Sequence, residues 1–134
     1  MIKFTVPGNP MAWQRARQHG KFHFETPEQT SYKSLIVLAA RQSLKKADFL
    51  IQGPIALKIR FFFKRPQARC RKSDSAGPIQ MFKRPDADNC IKMIGDAGNG
   101  VLWKDDAQIC NIQVDKFYHE IGGKPRTEIE IEEI

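Results

Sequence analysis

The chain has 134 residues, 28% of them charged and 41% hydrophobic, a length and balance that suit one soluble domain able to bury its own core. No apolar run approaches the ~20 residues of a membrane span, and the N-terminal MIKFTVPG lacks the apolar segment of a signal peptide, so a cytoplasmic location is expected. The formal charge is +7, but Glu128, Glu130, Glu132 and Glu133 crowd the last seven residues, leaving twenty-two basic against eleven acidic side chains in residues 1–127. That surplus favours a polyanionic partner, because lysines and arginines gain by displacing counterions condensed on DNA or RNA.

Residues 2–6 (IKFTV) read as a short strand halted by Pro7-Gly8. Residues 8–25 are irregular and polar, with Arg15, Arg17, His19, Lys21 and His23 set among Trp13, Phe22 and Phe24. Such a stretch is either an arm that touches a phosphate backbone or a loop pinned by its aromatics. Thr26-Pro27-Glu28-Gln29 then opens a helix, with Thr26 as cap, Pro27 in the first turn and Gln29 where a capping box places it. The spacing predicts a helix to about Lys46, with Tyr32, Leu35, Ile36, Ala39, Ala40 and Leu44 facing the core. Ile55 to Phe63 is the central strand, its apolar residues alternating with Lys58 and Arg60.

Residues 64–84 carry seven basic side chains (Lys64, Arg65, Arg69, Arg71, Lys72, Lys83 and Arg84) against the single Asp74. Broken by Pro66, Gly77 and Pro78, this stretch is expected to be a flexible basic loop that orders on its ligand. A second helix is expected from Asp86 to about Asp96, capped by Asp86 or Asp88, with Ile91, Ile94 and Ala97 as its apolar stripe and Gly98-Asn99-Gly100 as its end. Residues 107–119 and 127–134 read as two strands joined through Gly122-Gly123, a β-hairpin, and the glutamates of the last strand would discourage edge pairing. Cys70, Cys90 and Cys110 form no CxxC pair and are expected as free thiols; His19 and His23 have no cysteine pair nearby to complete a zinc site.

The stretch Lys83–Ala107 holds five of the eight aspartates: Asp86, Asp88, Asp96, Asp105 and Asp106. Carboxylates brought together repel unless a cation holds them, and oxygen donors of this kind, backed by substrate phosphates, suit Mg²⁺. Asp86 and Asp88, two apart at a helix start, can both turn toward one point, where backbone amides favour negative charge. Of Asp105 and Asp106, adjacent at a strand start, one can join them while the other caps or pairs. Lys92, four residues after Asp88, suits either an ordinary Asp–Lys helix pair or neutralisation of phosphate charge in a transition state; spacing alone favours the pair. The segment is therefore read as a metal-dependent phosphodiester-cleaving site beside a basic loop that holds nucleic acid, with a non-catalytic DNA-binding module as the alternative.

Arg84-Pro85-Asp86-Ala87-Asp88-Asn89, Lys92, Asp96 and the run Trp103-Lys104-Asp105-Asp106-Ala107-Gln108 resemble the signature of the RusA family of Holliday-junction resolvases. The match, D-x-D-N-x-x-K-x-x-x-D followed by W-x-D-D-x-Q, is far more specific than a lone DxD. The resemblance implies a single α+β domain over residues 1–134, with a mixed sheet flanked by two helices. It implies a homodimer, dependent on Mg²⁺ with Mn²⁺ as an alternative, that nicks four-way or branched DNA symmetrically. Carried over by position, Asp86, Asp88 and Asp106 would be the catalytic, metal-holding carboxylates and Lys92 the essential lysine; the resemblance, not the spacing, selects Asp106 and this role for Lys92. Arg15, Arg17 and the seven basic residues of 64–84 are the candidate DNA contacts. Cys90 and Gly95 stand where larger apolar or helix-favouring residues are expected.

Overall fold

Strand β4 (Ile55–Phe63) is apolar at every second position, and Ile55, Leu57, Ile59, Phe61 and Phe63 are all buried on one face, as the alternation predicts. The computed structural model describes residues 1–15, 17–19, 22–45 and 49–134, the side chains of 17–19 and 22–24 excepted. Within it β4 pairs parallel to β6 (Ile109–Tyr118) and antiparallel to β7 (Arg126–Glu133). Outside these lie β1 (Ile2–Pro7) and β5 (Ile79–Gln80), giving a mixed five-stranded sheet in the order β1-β7-β4-β6-β5. With two helices against this sheet the domain is α+β, as expected.

The expected C-terminal hairpin is corrected. β6 and β7 run antiparallel but do not pair, because β4 lies between them. β4 is apolar enough to be paired on both sides, and a sequence pattern shows which strands alternate without showing which become neighbours. The reading of the glutamate-rich strand changes with it. β7 is flanked by β1 and β4, so it is not an edge. Its glutamates serve the outer sheet face, where Glu130 meets Lys3 at 3.0 Å and Glu128 meets Arg60 at 2.9 Å and Arg126 at 2.8 Å.

Helix α1 (Pro27–Ser43) begins as its sequence predicts, with the Thr26 hydroxyl accepting from the Gln29 N–H at 3.2 Å. The predicted end at Lys46 lies outside the described residues. Only the i, i+4 row Tyr32, Ile36 and Ala40 is fully buried, while Leu35 is exposed. The Gln29 side chain does not close the capping box; it is buried, and its Oε1 accepts from the Gln14 N–H at 3.2 Å. Residues 17–19 and 22–24, read as irregular, pair as a small hairpin of β2 (Arg17–His19) and β3 (Phe22–Phe24).

Helix α2 (Ala87–Gly98) turns Cys90, Met93, Ile94 and Ala97 to the sheet, with Ile91 only half-buried, so the core stripe is rotated from the predicted one. Cys90 is fully enclosed, and burial, followed by the charges of Asp88 and Asp86, pushes its thiol up to about 11 despite the nearby Lys116. It is a small core residue there, not a nucleophile. The helix ends against Trp103, fully buried with its indole N–H donating to Asn99 Oδ1 at 3.0 Å. A Cβ placed on Gly98 would lie no more than 2.8 Å from three atoms of that ring. Gly98→Ala should therefore gain helix propensity and still lose roughly 1–3 kcal/mol overall from overpacking; a melting temperature equal to wild type would reject the account.

Candidate active site

Lys116, on β6, organises the approach to α2. Its ammonium donates to the carbonyl oxygens of Lys83 at 2.8 Å and Pro85 at 2.6 Å, and its own carbonyl accepts from the Met81 N–H at 3.0 Å. The chain is thereby delivered to Asp86, the residue preceding the helix. Asp86 holds the extended backbone of an N-cap, but its side chain makes no capping hydrogen bond, contrary to expectation. Asp88 follows in the first turn, exposed. Among the described residues neither carboxylate makes a hydrogen bond or ion pair with another side chain.

The second acidic pair divides its labour as the sequence suggests. Asp105 caps a 3₁₀ turn, Asp106–Gln108, with its Oδ1 accepting from the Ala107 N–H at 3.1 Å. Gln108 closes the capping box by accepting from the Asp105 N–H at 2.9 Å. The amide nitrogen of Gln108 donates to the carbonyls of Ile51 (2.8 Å) and Gly53 (3.0 Å), bracing the turn against the segment leading to β4. That bracing role was not read from the sequence, although the W-x-D-D-x-Q run contains it.

Asp106 turns toward α2. Its Cβ and Oδ2 each come 3.4 Å from the place a Cβ would occupy on Gly95. Gly95, unexpected in a helix interior, thus lies in contact with this carboxylate; a Cβ there would just touch it, and only a longer side chain would compete for its place. Gly95 lies seven residues after Asp88 and three after Lys92, so all three share one helical face, opposite the buried Cys90–Ile94 stripe.

The expected convergence of Asp86, Asp88 and Asp106 on one point is not what the structure has. Seven helical residues separate the Asp88 and Gly95 levels by ~10 Å, and among the described residues no three His, Cys, Asp or Glu side chains group as a metal ion requires. Asp106 is associated instead with Asp105 and Asp96. A hydrogen bond with Asp105, partial burial, and the charges of Asp105 and Asp96 raise its pKa, while the Ala107 N–H and the bond with Asp106 lower that of Asp105.

Lys92 forms no pair with Asp88 or Asp96. Its ammonium lies over the ring of Trp13, 3.5 Å from the centroid. Magnitudes agree with that choice, since a helix-surface ion pair is worth ~0.2–0.5 kcal/mol and an exposed cation–π contact ~0.5–1 kcal/mol. Of the two readings of residues 8–25, an arm on a phosphate backbone or a loop pinned by its aromatics, Trp13 fits the second. Its N–H donates to the Asn89 carbonyl at 2.9 Å, so the segment around Trp13 is pinned onto α2.

Of the candidate DNA contacts, Arg15, Lys64, Arg69, Arg71, Lys72, Lys83 and Arg84 are exposed. The side chain of Arg17 lies outside the described residues, as do Lys21 and the side chains of His19 and His23. Arg65 is corrected. Only 4% exposed, it donates to the carbonyls of Arg69 (2.7 Å), Ser75 (2.7 Å), Gly77 (2.9 Å) and His119 (3.4 Å). A guanidinium carries five donors in a fixed fork, and here they give 64–84 a defined path, with a 3₁₀ turn at Gln67–Arg69 and the short β5.

The donor set fits a hard divalent cation in kind: carboxylate oxygens without partners among the described residues at Asp86 and Asp88, and a third crowded by like charge at Asp106. Fold and site together define a small α+β protein with an acidic helix face beside an exposed basic loop, the pattern of a protein that acts on nucleic acid. The family model for the endodeoxyribonuclease RusA matches residues 7–132. A relative, the uncharacterized protein YqaN of Bacillus subtilis (strain 168), is 32% identical over 142 residues, covering 99% of this chain and 96% of its own. The chain belongs to the RusA endodeoxyribonuclease family.

The crowding at Asp106 has a measurable sign. A folded-state pKa above the unfolded value favours the protonated group, so its contribution to stability is present at acid pH and is lost as pH rises through the folded pKa. Asp106→Asn should therefore raise the melting temperature of the metal-free protein at pH 7, and the gain should shrink as the pH is lowered through the carboxylate range. Thermal unfolding of both proteins across that range checks it; a gain that grows toward acid would contradict the assignment.

Proposed function

We propose that the protein is a Mg²⁺-dependent, structure-selective endodeoxyribonuclease that resolves Holliday junctions by paired symmetric nicks in DNA recombination and repair, acting as a homodimer. The observation that carries the reading is the polar face of α2. Asp88, Lys92 and the Gly95-seated Asp106 share it, and none of the three forms the ordinary surface pairs that would make them merely structural. Family membership supports the class of reaction.

Asp86, Asp88 and Asp106, spread too far apart in the metal-free chain to form a ready-made site, would be drawn together to hold the metal, and Mg²⁺, or Mn²⁺ in its place, would polarise the phosphodiester and lower the pKa of a bound water. Lys92, exposed on the same face, would neutralise phosphate charge as it develops. Arg15, Arg17, Lys64, Arg69, Arg71, Lys72, Lys83 and Arg84 would hold the DNA backbone through charge, which carries no sequence preference and weakens with salt. Two cuts on strands related by a two-fold axis call for two sites related by the same axis, hence the dimer. Among the described residues no helix is long and apolar enough to cross a membrane, and a cytoplasmic location would suit a DNA substrate.

The test is cleavage of synthetic four-way junctions with and without Mg²⁺. Wild type should give symmetric nicks, and Asp86→Asn, Asp88→Asn and Asp106→Asn should each lose at least about a hundredfold in rate while still binding the junction. Full activity in any of them would remove that residue from the site. Salt-sensitive binding with no metal-dependent product from wild type would favour a non-catalytic branched-DNA-binding protein instead, and RNA substrates run in parallel establish which nucleic acid is cut.

A further inference from the structure

We propose that Trp13 is a positioning residue for Lys92, holding its ammonium on the acidic face of α2 and away from the carboxylates beside it; the proposal rests on the nuclease reading above. The contact is built from several elements. Residues 11–13 are half-buried against the core. The Met11 backbone is hydrogen-bonded to the hydroxyl of Tyr32, itself buried and bonded to Thr127 Oγ1 at 2.9 Å. The Gln14 N–H is bound by the buried side chain of Gln29, and the Trp13 N–H by the Asn89 carbonyl. Side chains of α1 and the backbone of α2 thus secure the strap on both sides of Trp13, and its indole lies over Lys92.

The chemistry explains why such a strap is useful. Lysine is a flexible point charge on a four-carbon stem, and left alone Lys92 would close onto Asp88, one turn away. That pairing would occupy a carboxylate needed for a cation and remove the charge meant for phosphate. An aromatic face attracts the ammonium while offering it no anionic oxygen. When phosphate oxygens arrive they offer charge-assisted hydrogen bonds, which a ring cannot match. The indole therefore stations the ammonium without neutralising it.

Two measurements test the proposal. In the NMR spectrum the ε-methylene protons of Lys92, assigned through Lys92→Arg, should lie upfield of other lysines from the ring current. The displacement should persist in Trp13→Phe and vanish in Trp13→Leu, which keeps apolar bulk. In junction cleavage W13L should lower kcat about tenfold through misplacement of one charged group, with junction affinity within about twofold of wild type, and W13F should recover most of the loss. An unshifted Lys92 in wild type overturns the proposal. So does W13L cleaving at the wild-type rate while Lys92→Ala is inactive, an outcome that leaves the nuclease reading standing. Wild-type protein that cuts no branched DNA overturns both together.

Discussion

Two positions without side chains bring the distant acidic segments of this protein together. Trp103 closes over Gly98 and Asp106 settles against Gly95, so the chain after α2 doubles back along the helix it has just left. The approach to Gly98 is closer than any side chain would permit, that to Gly95 is an ordinary van der Waals contact for a Cβ, and the ring of Trp103, enclosed on all sides, anchors the return. Glycine in a helix interior costs up to about 1 kcal/mol against alanine, a cost accepted at Gly95, three residues before the terminal Gly98. The Gln108 bracket then fixes the returning turn against the segment before β4. Without this close approach the Asp86–Asp88 pair and Asp106 would belong to unrelated surfaces.

What results is an acidic face left without cationic partners among the described residues, in contrast to the outer face of the sheet. On the outer side of the sheet each central glutamate finds a lysine or arginine. At the start of α2 the carboxylates of Asp86 and Asp88 find none among the described residues, and Asp106 is crowded by Asp105 and Asp96. Unpaired like charges on a small domain oppose folding, and a protein retains them where a ligand uses them. The same economy appears in the basic loop. Arg65 is buried to shape it, so that Arg69, Arg71 and Lys72 can stay exposed.

How much of this was legible beforehand follows the range of the interactions. Local features were: the Thr26 cap, the alternation of β4, and the capping by one member of the Asp105–Asp106 pair, since all depend on neighbours within a few residues. The W-x-D-D-x-Q and D-x-D-N-x-x-K runs pointed to the family for the same reason. The helix stripes hold Tyr32, Ile36, Ala40, Ile94 and Ala97 as expected but leave out Leu35 and Ile91, because periodicity locates an apolar face only to within a residue or so.

By itself, then, the sequence determined the two helices and the four longer strands, the acidic and basic segments and the family, because propensity, capping and motif spacing are properties of short stretches of chain. Tertiary structure alone decided that β4 separates β6 from β7, that Arg65 turns inward, that Asp106 lies in contact with Gly95, and that Lys92 rests on Trp13 rather than on Asp88. Each of these joins residues many positions apart or faces a choice between partners of similar strength. Such choices are made by which surfaces the folded core brings into contact.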